Sequence, residues 1–286
     1  MTDQTLTEYA GGLAPRAYDR AEASIRRKAV ETALAASSLR VTSMFESGSW
    51  THGTSISAKS DVDYMAIATG RRPFWPSSAL TAAKSAVKGC DWKITDVRVS
   101  SPVIGVTYYS QPHFEVAPAW YKEQVNGYRV YWIGGRKDEW VLSSPGAHLA
   151  YVNRQNDRLG KKVKPLVRLL KAWKHNVGAP VSSFYLEIRT AEYAAGESVI
   201  IYDIDLHRVM NAIVAADARD MNDPAHIVGR IPACASWEKR HRTLALLKTA
   251  VGDLNAADAA RTAGDRQGYW RAMVKVFGSG YPWPTW

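Results

Sequence analysis

Apolar positions recur with a helical period in some stretches and with strand character in others, and the balance changes near the middle of the chain. From 16 to 36 good helix formers dominate, and Ala21, Ile25, Ala29 and Ala33 recur at every fourth position. That spacing predicts a helix with those residues as its apolar stripe. Val41 to Phe45 is a short, partly apolar stretch, and Val62 to Ala68 reads as a buried strand. Arg71 to Pro76 is a break with two prolines, and Leu80 to Lys88 predicts a second helix. Lys93 to Val99 and Val103 to Tyr109 read as a strand hairpin. Phe114 to Pro118 is another short strand, which its proline should end or confine to a sheet edge. Tyr128 to Ile133 and Trp140 to Leu142 add strand-like pieces around Gly134-Gly135.

After Ser143-Ser144-Pro145-Gly146 the helical period takes over. Leu149 to His175 carries Val163, Leu166, Val167, Leu170 and Trp173 at helical spacings, and Pro165 should mark a kink or a fresh start. Another helix should run to about Ala195, with Ser182 or Ser183 as its N-cap. Ile204 to Ala216, Glu238 to Ala250 and Asp265 to Phe277 predict further helices, and Asp217 to Ala235 is loop-rich. The expected class is therefore α+β, with a mixed lobe over 1–145 and a helical lobe over 146–286.

Composition narrows the partners. Lys and Arg total 37 against 27 Asp and Glu, a net charge of +10 that favours anionic ligands or serves general solubility. The only cysteines are Cys90 and Cys234, so neither a disulfide framework nor a zinc-type spacing is present. Met1 to Ala10 is polar and acidic rather than basic then apolar, and no apolar run approaches the ~20 residues of a membrane span. A reduced, cytoplasmic setting without membrane insertion is the expectation.

One window carries chemistry. Gly48-Ser49-Trp50-Thr51-His52-Gly53-Thr54 is followed by Ser60-Asp61-Val62-Asp63-Tyr64. In a strand, residues i and i+2 share a face, so Asp61 and Asp63 would repel unless a cation lies between them. Mg²⁺, held by carboxylates and nucleotide phosphates, fits that demand. Backbone N–H groups at Gly48-Ser49, with the Ser49 hydroxyl, suit the β- and γ-phosphates. A third carboxylate is needed, and Glu115, between Phe114 and Val116, is the best placed.

Phe45-Glu46-Ser47-Gly48-Ser49, eleven residues, then Asp61-Val62-Asp63-Tyr64 resembles the signature of the polymerase-β-like nucleotidyltransferases. Within them the chain resembles the cGAS/DncV-like group (CD-NTases) and the oligoadenylate synthases. Phe114-Glu115-Val116-Ala117-Pro118-Ala119 resembles that group's third-carboxylate strand. Leu166 to Lys174 resembles its helix with a triphosphate-binding lysine, and Ser182 to Glu187 the helix start that follows. Trp270 to Pro282 resembles the end of its helical lobe.

The resemblance implies a two-lobed polymerase-β-like fold whose helical lobe closes a nucleotide cleft. It implies a synthase joining nucleoside triphosphates, ATP or GTP foremost, into a cyclic di- or trinucleotide second messenger for anti-phage signalling. A separate effector protein would read the product. Asp61, Asp63 and Glu115 would hold two Mg²⁺ ions, with Mn²⁺ as a substitute. Gly48, Ser49, Lys171, Ser183 and Tyr185 would bind nucleotide, Tyr185 by stacking. Transfer to another acceptor, linear oligomers and a non-catalytic nucleotide or RNA binder are the alternatives, and a nucleic-acid activator stays open.

Three features depart from the group: Glu in place of the commoner third Asp, no Cys-rich insertion of the animal DNA-sensing members, and a Thr285-Trp286 end unlike the conjugated small-residue tails. Trp173 and Trp270 are expected in the core, and His52 in a loop. The run Arg154, Arg158, Lys161, Lys162, Lys164 and Arg168 reads equally as a phosphate-binding or a solvated face.

Overall fold

A computed structural model describes residues 4–15, 17–56 and 61–286. Arg16 and Ser60, used in the sequence argument, lie outside them. In chain order the elements are α1 (Gln4–Gly12), α2 (Ala17–Ala35), β1 (Val41–Ser47), α3 (Gly48–His52), β2 (Val62–Ala68), α4 (Pro76–Val87), β3 (Ile94–Ser100), β4 (Val103–Tyr108), β5 (Phe114–Val125), β6 (Tyr128–Gly134) and β7 (Trp140–Ser143). Then follow α5 (Pro145–Arg158), α6 (Val163–Val177), α7 (Ser183–Ala195), α8 (Tyr202–Ala215), β8 (Met221–Asn222), β9 (Arg230–Ile231), α9 (Trp237–Thr262) and α10 (Arg266–Phe277). Contacts divide the chain into a sheet unit, 15–149 with 225–229, and a helical unit, 1–14, 150–224 and 230–286.

The sheet unit is a seven-stranded mixed sheet ordered β1-β2-β5-β4-β3, with β6 on β5 and β7 on β6. Only β2 and β5 run parallel. Side chains alternate across a strand, so each has a core face and an open face. Val62, Tyr64, Ala66 and Ala68 of β2 join Phe114, Val116 and Trp120 of β5 in one apolar cluster with Ala23, Val30 and Leu34 of α2 and Ala79, Leu80, Ala83 and Val87 of α4. Asp63, Met65 and Ile67 therefore look the other way, where Met65, Ala119 and Tyr131 form a smaller cluster.

Two expectations need correction here. The buried face of α2 is not Ala21–Ile25–Ala29–Ala33: Ile25 is 63% exposed, and Ala23, Arg26, Val30 and Leu34 are buried instead. Larger apolar groups and a satisfied arginine outweigh a row of alanines, whose burial removes little surface from water. Pro118 neither ends β5 nor marks an edge; it lies within a central twelve-residue strand. It falls between Val116, the last residue paired with β4, and Ala119, the first paired with β6. A missing N–H breaks no ladder bond on that side.

Arg26 ties α2 to the loop before β5. Its guanidinium donates to Ser110 O at 2.7 Å, Pro112 O at 2.9 Å and Glu22 Oε1 at 2.8 Å, and lies 4.6 Å from the Tyr108 ring centroid.

The helical unit is built on α6, where Val163, Leu166, Val167, Leu170 and Trp173 are buried as their spacing predicts. The long helical stretch breaks at Gly160-Lys161, both with φ near +60°, and Pro165 sits in the first turn of α6, where its missing donor costs nothing. Ser182, not Ser183, is the N-cap of α7, accepting from Tyr185 N at 3.3 Å. The sequence reading missed α1, which packs on α6 and α8 and sets Tyr9 tilted against Phe277 at 5.2 Å and edge to face with Tyr281 at 5.1 Å. Trp173 is fully buried, as expected, and Trp270 bonds Tyr281 O while its ring packs against Trp283. Among the described residues no helix is long and apolar enough to cross a membrane.

Arg26→Ala would leave two loop carbonyls and Glu22 without their buried donor. We expect a loss of about 3 kcal/mol in urea unfolding, with Arg26→Lys intermediate.

Candidate active site

β-Pairing alone assembles a row of residues on the open face. Ser47 of β1 lies opposite Asp63 of β2, Asp63 beside Glu115 of β5, Glu115 opposite Gly105 of β4, and Gly105 opposite Arg98 of β3. Directly paired residues share a face, so five strands contribute one line of side chains. Adjacent strands are roughly 4.8 Å apart, which makes Asp63 and Glu115 neighbouring like charges. Asp61 directly precedes β2, anchored by the bond from Val62 N to His113 O at 2.8 Å.

Glu115 feels this company. Burial raises its pKa first, the nearby Asp61 charge raises it further, and Arg98 pulls it back. Arg98 lies over Gly105, in ordinary contact distance of where a Cβ would stand, 3.4 Å from Arg98 Nε. Sequence reasoning missed Arg98, and the signal lay in the register that sets Gly105 between it and Glu115.

The Gly-Ser window is not an open turn. It runs from β1 directly into α3, with Gly48 at φ +60° and Gly53 at φ +68° closing the short helix. Ser49 O accepts from Thr54 N at 2.9 Å and Ser55 N at 3.0 Å, so the segment folds back on itself. Trp50 is buried, and Arg20 lies 5.4 Å over its ring. His52 is a correction: it is a buried helix residue, not a loop residue. Gly48 is required twice, for its left-handed φ and because a Cβ would land on the Asp63 carboxylate.

Among the described residues no three His, Cys, Asp or Glu side chains already form a metal-ligand group. The donor set nevertheless suits a hard divalent cation: carboxylate oxygens from Asp61, Asp63 and Glu115, with space beside Asp63 kept clear by Gly48. The like-charge strain on Glu115 is what such a cation would relieve.

In the helical unit the proposed binding residues separate. Lys171 is 2% exposed, and its Nζ donates to Glu187 Oε2 at 2.9 Å, itself buried. It is therefore turned inward and not presented to a ligand, contrary to expectation. Tyr185 is also fully buried, so it cannot stack on a base. Lys174, three residues on, is half-buried and donates to Ser183 Oγ at 2.5 Å. Its pKa is lowered by burial and then by Lys171. With Ser182 serving as the cap, the Ser183 hydroxyl is left to this lysine.

The basic run is mixed: Arg154, Arg158 and Lys161 are exposed, and Lys162, Lys164 and Arg168 are half-buried. Arg158 donates to Ala194 O at 2.5 Å and Glu197 O at 2.7 Å, Lys162 reaches Ile200 O at 3.2 Å, and Lys161 pairs with Asp157. Arg158 and Lys162 thus satisfy carbonyls around the end of α7 and the segment after it.

A carboxyl whose folded pKa is raised contributes stability below its unfolded pKa and loses it as pH rises through the folded value. Glu115→Gln should therefore stabilise the chain in chelator at pH 8, by roughly 2–4 °C in melting temperature, the shift about 1 kcal/mol produces at this size. The gain should shrink as pH falls through the range of an ordinary Glu, about 4.3, and vanish below it, where the unfolded carboxyl is protonated too; scanning calorimetry across that range checks this.

A family model described as the Second Messenger Oligonucleotide or Dinucleotide Synthetase domain (SMODS) matches residues 1–156. Among solved structures, CdnC of E. coli MS115-1 with ATP is similar at TM-score 0.78 and 17% identity, covering 99% of each chain. CdnG of Bradyrhizobium diazoefficiens with GTP is similar at 0.76 and 16%, covering 96% of this chain and 95% of that one. Vibrio cholerae DncV with the linear intermediate 5′ pppA(3′,5′)pG gives 0.76 and 11%, covering 98% and 96%. No curated protein matches. The mixed sheet with its helical partner unit is thus the polymerase-β-like fold of the CD-NTases, and with that domain matched over more than half its length the chain belongs to the SMODS family of nucleotidyltransferases.

Proposed function

We propose that this nucleotidyltransferase joins nucleoside triphosphates, ATP and GTP foremost, into a cyclic di- or trinucleotide. The observation that carries this reading is the register that sets Asp63 beside Glu115, with Asp61 two residues upstream and Gly48 against the Asp63 carboxylate. In the reaction a ribose hydroxyl oxygen bonds to an α-phosphorus. The α–β phosphoanhydride bond breaks, pyrophosphate leaves, and the hydroxyl proton is lost to a base. Mg²⁺ or Mn²⁺ ions held by Asp61, Asp63 and Glu115 would make that hydroxyl more acidic and balance charge on the pyrophosphate. Glu115, faced by Asp61 and Arg98, would as a ligand to these ions also favour loss of the hydroxyl proton.

Gly48 and Ser49 are proposed to contact the triphosphate from the sheet unit. In the helical unit the resemblance assigns such contact to Ser183 and a lysine of α6, and the Ser183 bond to Lys174 favours Lys174 over Lys171. The structures of CdnC with ATP, CdnG with GTP and DncV with a linear dinucleotide intermediate support triphosphates as substrates. We place the activity in the cytoplasm, with the product acting on a separate effector in anti-phage signalling.

Incubation with all four triphosphates and Mg²⁺ or Mn²⁺, followed by phosphatase and mass spectrometry, tests the reading. We expect a phosphatase-resistant product of two or three nucleotide units. Product only with an added acceptor, or only phosphatase-sensitive chains, would replace it by one of the other transfer reactions. Product only with added DNA or RNA would establish an activator. Arg98→Ala removes the cation that faces Glu115 in the cross-strand row, and we expect kcat to fall with Arg98→Lys restoring part of the loss, measured by steady-state kinetics.

A further inference from the structure

The sheet unit leaves two aromatic pairs in water, Trp92 with Tyr109 and Phe74 with Trp75, and the second pair walls a cavity. Between β2 and α4, Phe74 is 81% and Trp75 55% exposed, although burying either side chain is worth roughly 1.5–3 kcal/mol. These rings are held in place from below. Trp140 Nε1 donates to Pro73 O at 3.1 Å and Phe74 O at 2.9 Å. Ser77 donates through its N–H and its hydroxyl to the two oxygens of Asp138, at 2.7 and 2.8 Å. The rings meet edge to face at 4.7 Å. They wall a cavity of about 410 Å³, completed by Arg72, Glu139 and Trp140. That volume lies in the range of about 300–1,000 Å³ typical of small-molecule sites.

The lining specifies a ligand chemistry. Aromatic faces take a flat ring. The Arg72 guanidinium rests on Trp132 and Trp140, at 4.8 and 5.2 Å from their centroids, and offers donors to ring acceptors. Glu139 is exposed, makes no ion pair among the described residues, and can accept from an amino group. Asp138 also lines the cavity, with its oxygens taken up by Ser77, and the exposed Arg71 and Lys137 directly flank the lining residues Arg72 and Asp138 in the chain, which suits an anionic tail. A nucleotide combines these features: a flat heterocycle with donor and acceptor edges, and an anionic tail.

This cavity is not the carboxylate row. Trp120, Trp132 and Trp140 belong to the helix-covered face of the sheet, and Asp63 and Glu115 to the other. Along the strand, β2 separates Asp63 at its start from the loop at its end by roughly 20 Å. We propose that the Phe74-Trp75 cavity is a second nucleotide-binding site, separate from the site of transfer.

The test is calorimetric titration of the full chain with AMP and with GMP in chelator. One molecule of at least one of them should bind per chain. Phe74→Ala with Trp75→Ala should weaken it at least tenfold; both rings are exposed, so folding should survive, as an unchanged melting temperature would verify. Asp61→Asn with Asp63→Asn should leave it intact, and the matching nucleoside should bind at least tenfold more weakly than the monophosphate. The assignment is overturned if the wild type binds neither monophosphate at millimolar concentration, if the Phe74/Trp75 variant binds as well as wild type, or if the Asp61/Asp63 variant abolishes binding.

Discussion

Parallel pairing of β2 with β5 is the constraint on which the candidate site depends. It alone brings Asp63 beside Glu115, and a slip of one residue would turn Glu115 into the core and Phe114 out of it. The opposite face forbids that slip. Tyr64 and Tyr108 both meet Phe114 edge to face, at 4.9 and 5.1 Å, and Val62 and Val116 are fully buried. Apolar packing on one side of the sheet thus holds repelling charges in line on the other. The strain on Glu115 is tolerated because its register cannot relax without losing that core.

Two residues matter through what they lack. Gly48 leaves the space that the Asp63 carboxylate occupies, and Gly105 is the small residue lying between Arg98 and Glu115 in the cross-strand row. Both lie in the same cross-strand region, so the site is shaped by missing methyl groups as much as by its charges. A side chain at Gly48 would displace the Asp63 carboxylate without touching its chemistry.

The strands and most helices were legible because burial imposes a period on the sequence, and the Asp61–Asp63 pair because charge at the head of an apolar strand needs a reason. What escaped depends on tertiary partners. The inward face of α2 is decided by Arg26, whose partners lie over eighty residues away in Ser110 and Pro112. Pro118 reads as a terminator until the hand-over from β4 to β6 is known. Lys171 and Lys174 lie on neighbouring sides of one helix, and only the buried partner Glu187 tells them apart. Nothing local to Tyr185 distinguishes a stacking ring from a core ring.

The Lys171–Glu187 pair carries a consequence for how this chain can change. Two opposite charges removed from water are tolerable together, and either one alone is a buried, uncompensated ion costing about 3–5 kcal/mol. The two positions form a historical lock: they can be exchanged for an apolar pair of similar volume only by passing through an unstable intermediate or by changing at once. Homologous chains should therefore keep both charges or neither. The pairing of α6 with α7 should persist where the surrounding surface has drifted beyond recognition.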